Sequence, residues 1–132
     1  MLATAYGYEK HLPGTSVGEA RERVTRALAN EGFGILTEID VQATLRKKLD
    51  LDFRPYLILG ACNPHLAHRA LEHDPQIGLL LPCNVVVQDT TQGVTVSIAS
   101  PRAMFSVVGR ADLEPVVADA EARIKRVIEA LG

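Results

Sequence analysis

Apolar residues recur at helical spacing in two long stretches of the chain. At the first, Ser16 and Glu19 match a capping box, in which each side chain satisfies a free backbone N–H at a helix start. The apolar face of this stretch consists of Val17, Ala20, Val24, Ala27 and Leu28, and Gly32 is placed to end the helix. The second stretch follows Asp112 as an N-cap, and its stripe consists of Val117, Ala120, Ile124, Val127, Ile128 and Leu131. We therefore predict two amphipathic helices, each turning one face to a core.

Around these helices the pattern is typical of strands. The strand-like stretches are residues 3–12, 33–39, 54–62, 79–89 and 94–100. In the first of them, Tyr6 and Tyr8 are expected on one side of the strand. The last two are joined by the sequence TTQG, which favours a hairpin. Shorter helices are predicted to begin at Asp40, Asn63 and Ser100. The order β-α-β-α-β-α-β-β-α-α indicates one α+β domain over residues 1–132, with helices covering a mainly antiparallel sheet.

The composition narrows the classes of function. The 132 residues are 47% hydrophobic and 23% charged, as is ordinary for a globular protein, and the formal net charge is −2. This charge argues against a dedicated partner for nucleic acid or for an anionic membrane. The longest apolar run, IGLLLPC, is far shorter than the ~20 residues of a spanning helix, and the start lacks a signal-peptide pattern. We expect a cytoplasmic protein with no membrane or nucleic-acid partner, whose two cysteines are reduced.

Cys62 is the main candidate for chemistry. The sequence ILGACNPHLAHRAL places it at the end of a strand, directly before Asn63 as N-cap and Pro64 at the first helical position. Free N–H groups and the helix dipole would there stabilise a thiolate and lower the pKa of the Cys62 thiol. A cysteine that ends an apolar strand is, however, more often a small buried hydrophobe. The sequence leaves both interpretations open.

Cys83 stands in a similar sequence, PCNV, at the start of a later strand. If the two strands are neighbours, Cys62 and Cys83 could form a reversible disulfide or a thiol–persulfide pair. With His65 and His68 they would also supply four ligands for tetrahedral zinc. This spacing fits a structural zinc site loosely, because there is no CxxC and both histidines also fit an exposed helix face. The sequence identifies neither a metal nor any other cofactor.

Two segments of the chain resemble a known family. They are EGFGILTEIDVQATLRKKLDLDFRPYLILGACNPHLAHRAL and IGLLLPCNVVV, and they resemble the bacterial and archaeal family called domain of unknown function 302. The residues that match the pattern of that family are Cys62, Asn63, Pro64, Pro82 and Cys83, whereas His65 and His68 lie outside it. The resemblance implies a fold like that of the TATA-binding protein, with helices on a curved antiparallel sheet, and it implies a homodimer. It implies no activity and no catalytic residue.

Two hypotheses of function follow. In the first, Cys62 and Cys83 are the catalytic centre of thiol, persulfide or soft-metal chemistry, with Asn63, His65 and His68 as further binding candidates. In the second, the protein is a non-enzymatic module that binds a ligand or assembles as a homodimer. The positions of the two sulfur atoms discriminate between them. Sulfur atoms close together at a cleft favour the first hypothesis, and sulfur atoms far apart beside an apolar groove favour the second.

Overall fold

The chain folds into strands and helices, and a computed structural model describes residues 2–132 of it. The strands within this range are β1 (Leu2–Thr4), β2 (Gly7–Leu12), β3 (Gly34–Asp40), β4 (Tyr56–Cys62), β5 (Cys83–Thr90) and β6 (Gly93–Ala99). The helices are α1 (Val17–Asn30), α2 (Val41–Leu49), α3 (Pro64–His73), α4 (Pro101–Phe105) and α5 (Glu114–Ala130). Short 3-10 helices span Pro75–Leu80 and Ala111–Leu113. The predicted α+β class is confirmed.

The six strands form one sheet in the order β1-β2-β6-β5-β4-β3. Every neighbouring pair is antiparallel, which confirms the prediction of a mainly antiparallel sheet. The predicted hairpin joins β5 to β6 through a two-residue turn, because Thr90 pairs with Gly93. Across residues 2–132, no helix combines the length and the apolar character needed to cross a membrane.

Side-chain caps start α1, α2 and α3 where the sequence predicted them. The hydroxyl of Ser16 accepts the N–H of Glu19 at α1, and the carboxylate of Asp40 accepts the N–H of Ala43 at α2. At α3 the amide oxygen of Asn63 accepts the N–H of Leu66, with Pro64 at the first helical position. Each cap satisfies one of the N–H groups that a helix start leaves free.

The main core lies between one face of the sheet and the two long helices, α1 and α5. Its strand residues alternate along the chain, since successive side chains of a strand point to opposite faces. Those that are buried under the helices include Leu59, Val85, Val87, Val94, Val96 and Ile98. A second, smaller cluster joins α3, the 3-10 helices and the start of α5, and it consists of Leu66, Ala70, Ile77, Leu113, Val116 and Val117. The predicted apolar stripes of α1 and α5 face these clusters.

Three local predictions were wrong. Tyr6 and Tyr8 do not share a side, because a turn separates β1 from β2: Tyr6 is 62% exposed and Tyr8 is buried. Residues 79–82 are not strand, since Leu79 and Leu80 end a 3-10 helix and β5 begins at Cys83. Asp112 does not cap α5; it lies in a 3-10 helix and its carboxylate binds Arg110.

Candidate functional site

A pocket of about 230 Å³ opens where α3, α4 and α5 meet the ends of β4, β5 and β6. The side chains that line it are almost all apolar, and they include Phe33, Leu66, Ala67, Leu80, Met104, Phe105 and Val116. Asn63 and Asn84 are its polar lining residues, and Cys62 and Cys83 also line it. The lining contains no Asp, Glu, Lys, Arg or His among the described residues. The pocket is therefore suited to an uncharged, mainly apolar molecule.

The two cysteines are not near each other, which corrects the expected pair. The strand register explains this result. Ala61 pairs with Cys83, and both residues pack against the main core. Cys62 lies one position further along β4, so its side chain points to the opposite face of the sheet. Both are free cysteines, and the predicted disulfide or thiol–persulfide pair is not supported.

The expected acidity of Cys62 is not supported either. Burial raises the pKa of the Cys62 thiol, which is opposite to the direction that a helix start would produce. At the start of α3 the N–H of Leu66 is already bound by the side chain of Asn63, so this donor is not free to stabilise a thiolate. Burial, together with the negative charge of Glu121, raises the pKa of the Cys83 thiol to about 12. At neutral pH both groups are thiols rather than nucleophilic thiolates.

Asn63 holds helices together, and its polar atoms are already used. Its amide nitrogen donates to the carbonyl oxygen of Glu31 at 3.2 Å, while its amide oxygen caps α3. The same Glu31 carbonyl accepts from the guanidinium of Arg123 at 3.0 Å, which ties the end of α1 to α5. Gly32, which follows Glu31, has a φ of +84°, and a Cβ at this position would lie 2.9 Å from the Asn63 amide nitrogen. This asparagine is thus a structural clamp at the pocket edge.

His65 and His68 are exposed on α3 and do not line the pocket. The Nδ1 atom of His68 lies 3.8 Å from the carboxylate of Glu72, a contact that a solvent-exposed helix face explains. Within residues 2–132, no three His, Cys, Asp or Glu side chains are grouped as a metal ion would require. The four side chains proposed as zinc ligands are therefore not gathered at one place; they are Cys62, Cys83, His65 and His68.

A buried carboxylate, which the sequence did not predict, lies beside the pocket. Glu121 of α5 accepts hydrogen bonds from the Ser100 hydroxyl at 2.8 Å and from the Arg102 N–H at 3.1 Å. Its other oxygen accepts the hydroxyl of Tyr8. Burial opposes the ionisation of Glu121, but these three donors and nearby Lys125 lower its pKa. Burial and the hydrogen bond to Glu121 raise the pKa of Tyr8 to about 12. The available signal was a glutamate inside the apolar stripe of α5.

Gly60 of β4 allows another close approach at the pocket edge. A Cβ at this position would lie 2.2 Å from the Thr37 hydroxyl oxygen and 2.8 Å from Cγ of Pro82. Pro82 directly precedes β5 and lines the pocket. Because residue 60 has no side chain, Pro82 can lie directly against β4. Glycine is the residue that permits such contact.

The fold and the pocket define the class: an antiparallel α+β protein with helices over one sheet face and an apolar pocket at the sheet end. The chain belongs to the family described as domain of unknown function DUF302, whose model matches residues 8–131. The crystal structure of an uncharacterized conserved DUF302 protein from Bacillus stearothermophilus is similar, with a TM-score of 0.88 and 29% identity. That likeness covers 98% of this chain and 100% of the other. No curated protein matches this chain.

Proposed function

We propose that this protein is a non-enzymatic binding module for a small, uncharged, mainly apolar molecule. The observation that carries the proposal is the pocket between α3, α4 and α5, whose lining has apolar side chains and no ionisable group other than two thiols. A charged ligand would lose its hydration there without gaining a partner, whereas an apolar ligand gains from leaving water. The separated, protonated cysteines support this hypothesis over thiol chemistry.

The volume of the pocket limits the size of the ligand. A dry apolar cavity of about 150 Å³ suffices to hold benzene. At about 230 Å³, this pocket suits a molecule with one or two small rings, or a short branched chain. Indole is a suitable probe because it is uncharged and of this size. With roughly nine non-hydrogen atoms at about 0.5 kcal/mol each, we expect a dissociation constant of about 0.5 mM.

Titration of the ¹⁵N-labelled protein with indole tests the proposal. We expect saturable shifts of the amide signals of lining residues such as Leu66, Ala67 and Met104. Indole-3-carboxylate is the matched control, because it has nearly the same shape with one negative charge, and we expect it to bind far more weakly. Equal binding of the two molecules, or shifts confined to residues outside the pocket, would contradict the proposal.

A cytoplasmic location is part of the same proposal. It is supported by the two free cysteines, since oxidising compartments favour disulfides. The predicted likeness to the TATA-binding-protein fold stays a prediction.

Assembly as a homodimer is a second candidate function, and exposed surface favours it. The accessible surface is 7585 Å², whereas a compact monomer of 14.3 kDa is expected to expose about 6,800 Å². The excess is similar to the ~800 Å² that each partner buries in a standard interface. Exposed apolar side chains lie on β3, where Leu36 is 67% and Ile39 is 49% exposed.

Sedimentation equilibrium tests the dimer. We expect twice the mass of one chain for the natural protein and the mass of one chain for Ile39→Lys. A single-chain mass for the natural protein at micromolar concentration would exclude a stable dimer.

A further inference from the structure

Helix α4 forms one wall of the pocket, although it is only five residues long. Pro101, Met104 and Phe105 contribute their side chains to the lining. A helix this short has no stability of its own, because the cost of the first turn is offset only over many more residues. Its position therefore depends on contacts with the rest of the protein.

The contacts at the start of α4 converge on one carboxylate. The Ser100 hydroxyl accepts the N–H of Ala103 at 3.2 Å and donates to Oε1 of Glu121 at 2.8 Å. The same Oε1 atom accepts the N–H of Arg102 at 3.1 Å. Glu121 therefore binds both the cap of α4 and an N–H of its first turn, from its place on α5.

The opposite oxygen of this carboxylate anchors it to the sheet. Oε2 accepts the hydroxyl of Tyr8 on β2, so the carboxylate is held between β2 and α4. Glu121 is 8% exposed, and one position before it on α5 Ala120 lines the pocket. The Arg102 guanidinium is engaged elsewhere, with the carboxylate of Glu114 at 3.0 Å. The hydrogen bonds that the ionised Glu121 carboxylate accepts are charge-assisted, and such bonds are the stronger hydrogen bonds in proteins.

We infer that Glu121 is a positioning residue of the pocket: its carboxylate holds α4 where Met104 and Phe105 form a wall, and so sets the affinity for the uncharged ligand. This inference rests on the proposed function. Glu121 does not itself line the pocket, and it acts through α4. When α4 is released, only a fraction of the molecules present a complete pocket, and the measured affinity falls by that fraction.

Three variants and one matched control test the inference. Glu121→Met keeps the length of the side chain and removes both carboxylate oxygens, and Glu121→Gln is a milder change in case the first variant does not fold. Tyr8→Phe removes the bond to Oε2 and leaves both bonds to α4. Glu114→Gln is the matched control, because it removes a carboxylate that contacts α4 only through the Arg102 side chain.

Indole binding gives the first readout. We expect Glu121→Met to weaken binding about tenfold, which corresponds to a complete pocket in about one molecule in ten. Glu114→Gln should stay within about twofold of the natural protein, and Tyr8→Phe should lose clearly less affinity than Glu121→Met, because both bonds to α4 remain. Unchanged affinity for indole in Glu121→Met would overturn the inference, because the carboxylate would then have no effect on the pocket. A loss of affinity in Tyr8→Phe equal to that in Glu121→Met would also overturn it, because the effect would then reflect general stability.

Hydrogen exchange without ligand gives the second readout. The Met104 N–H donates to the Ser100 carbonyl oxygen at 3.0 Å, so its exchange reports whether α4 is formed. We expect about tenfold faster exchange at Met104 in Glu121→Met and no change in Glu114→Gln. Unchanged exchange in Glu121→Met would overturn the inference. If the natural protein did not bind indole, the proposed function would fail, while exchange would still decide whether Glu121 holds α4.

Discussion

Filling the pocket should make the protein more stable while it blocks binding. Ala67 lies on α3, is half-buried and lines the pocket. The substitution Ala67→Leu adds three carbon atoms that can enter the open space without displacing a neighbour. At about 0.8 kcal/mol for each buried carbon, the gain is at most about 2.4 kcal/mol. The restricted side chain loses about 0.5–1 kcal/mol of rotamer freedom, so we expect a net gain of about 1–2 kcal/mol.

Thermal and urea unfolding followed by circular dichroism measure this gain. For a protein of this size, about 1 kcal/mol corresponds to a change of roughly 4 °C in Tm, so the expected increase is about 4–8 °C. The same variant should no longer bind indole. Ala118→Leu on the exposed face of α5 is the control, and its stability should change by less than about 0.5 kcal/mol.

A less stable Ala67→Leu variant would refute this reasoning. It would mean that the walls are closely packed in solution and that the added carbons displace them, which costs about 1–3 kcal/mol in a filled core. If Ala67→Leu had the same stability and the same affinity for indole as the unsubstituted protein, the reasoning would also fail, because the leucine would then point away from the pocket.

Three further predictions concern the groups around the pocket. Burial raises the pKa of Cys83 from 9.0 to about 12, so its thiolate should be about 1000-fold scarcer than that of an ordinary cysteine. Iodoacetamide should therefore alkylate Cys83 at pH 8 only after unfolding. Rapid alkylation of Cys83 in the folded protein, detected by mass spectrometry, would contradict this. Gly60→Ala should lower the free energy of unfolding by about 1–3 kcal/mol, since the new Cβ would overlap Pro82, and a neutral result in urea unfolding would show that this wall can move. The lowered pKa of Glu121 implies stability that is present above its ordinary value of 4.5 and lost as the pH falls through the lower value of the folded protein. The difference in unfolding free energy between the natural protein and Glu121→Gln should therefore shrink below about pH 4.5, and a constant difference from pH 3 to 7 would count against an ionised Glu121.

The local signals in the sequence predicted most of the fold. Caps at Ser16, Asp40 and Asn63 act over three residues, and a hairpin turn acts over two, so both can be recognised without knowledge of distant contacts. The errors lie where distant contacts decide. The strand predicted over residues 79–89 is shortened because Leu79 and Leu80 end a 3-10 helix, with Leu80 packed against the smaller core cluster.

The site was harder to predict because it depends on register and on contacts between distant residues. The chemistry of the two Cys-Asn sequences suggested a pair, but the alternation of side chains along β4 turns Cys62 away from Cys83 once Ala61 is the paired residue. The bond between Tyr8 and Glu121 joins residues 113 positions apart, and no local pattern predicts it. The pocket itself arises from the space between three helices, which the sequence does not describe.

A crystal structure of the protein soaked with iodobenzene tests the central claim most directly, because anomalous scattering locates the iodine atom without ambiguity. We expect one strong iodine position inside the pocket, in contact with Leu66, Met104 and Val116. A pocket that is filled by its own side chains, or iodine found only on the outer surface, would contradict it.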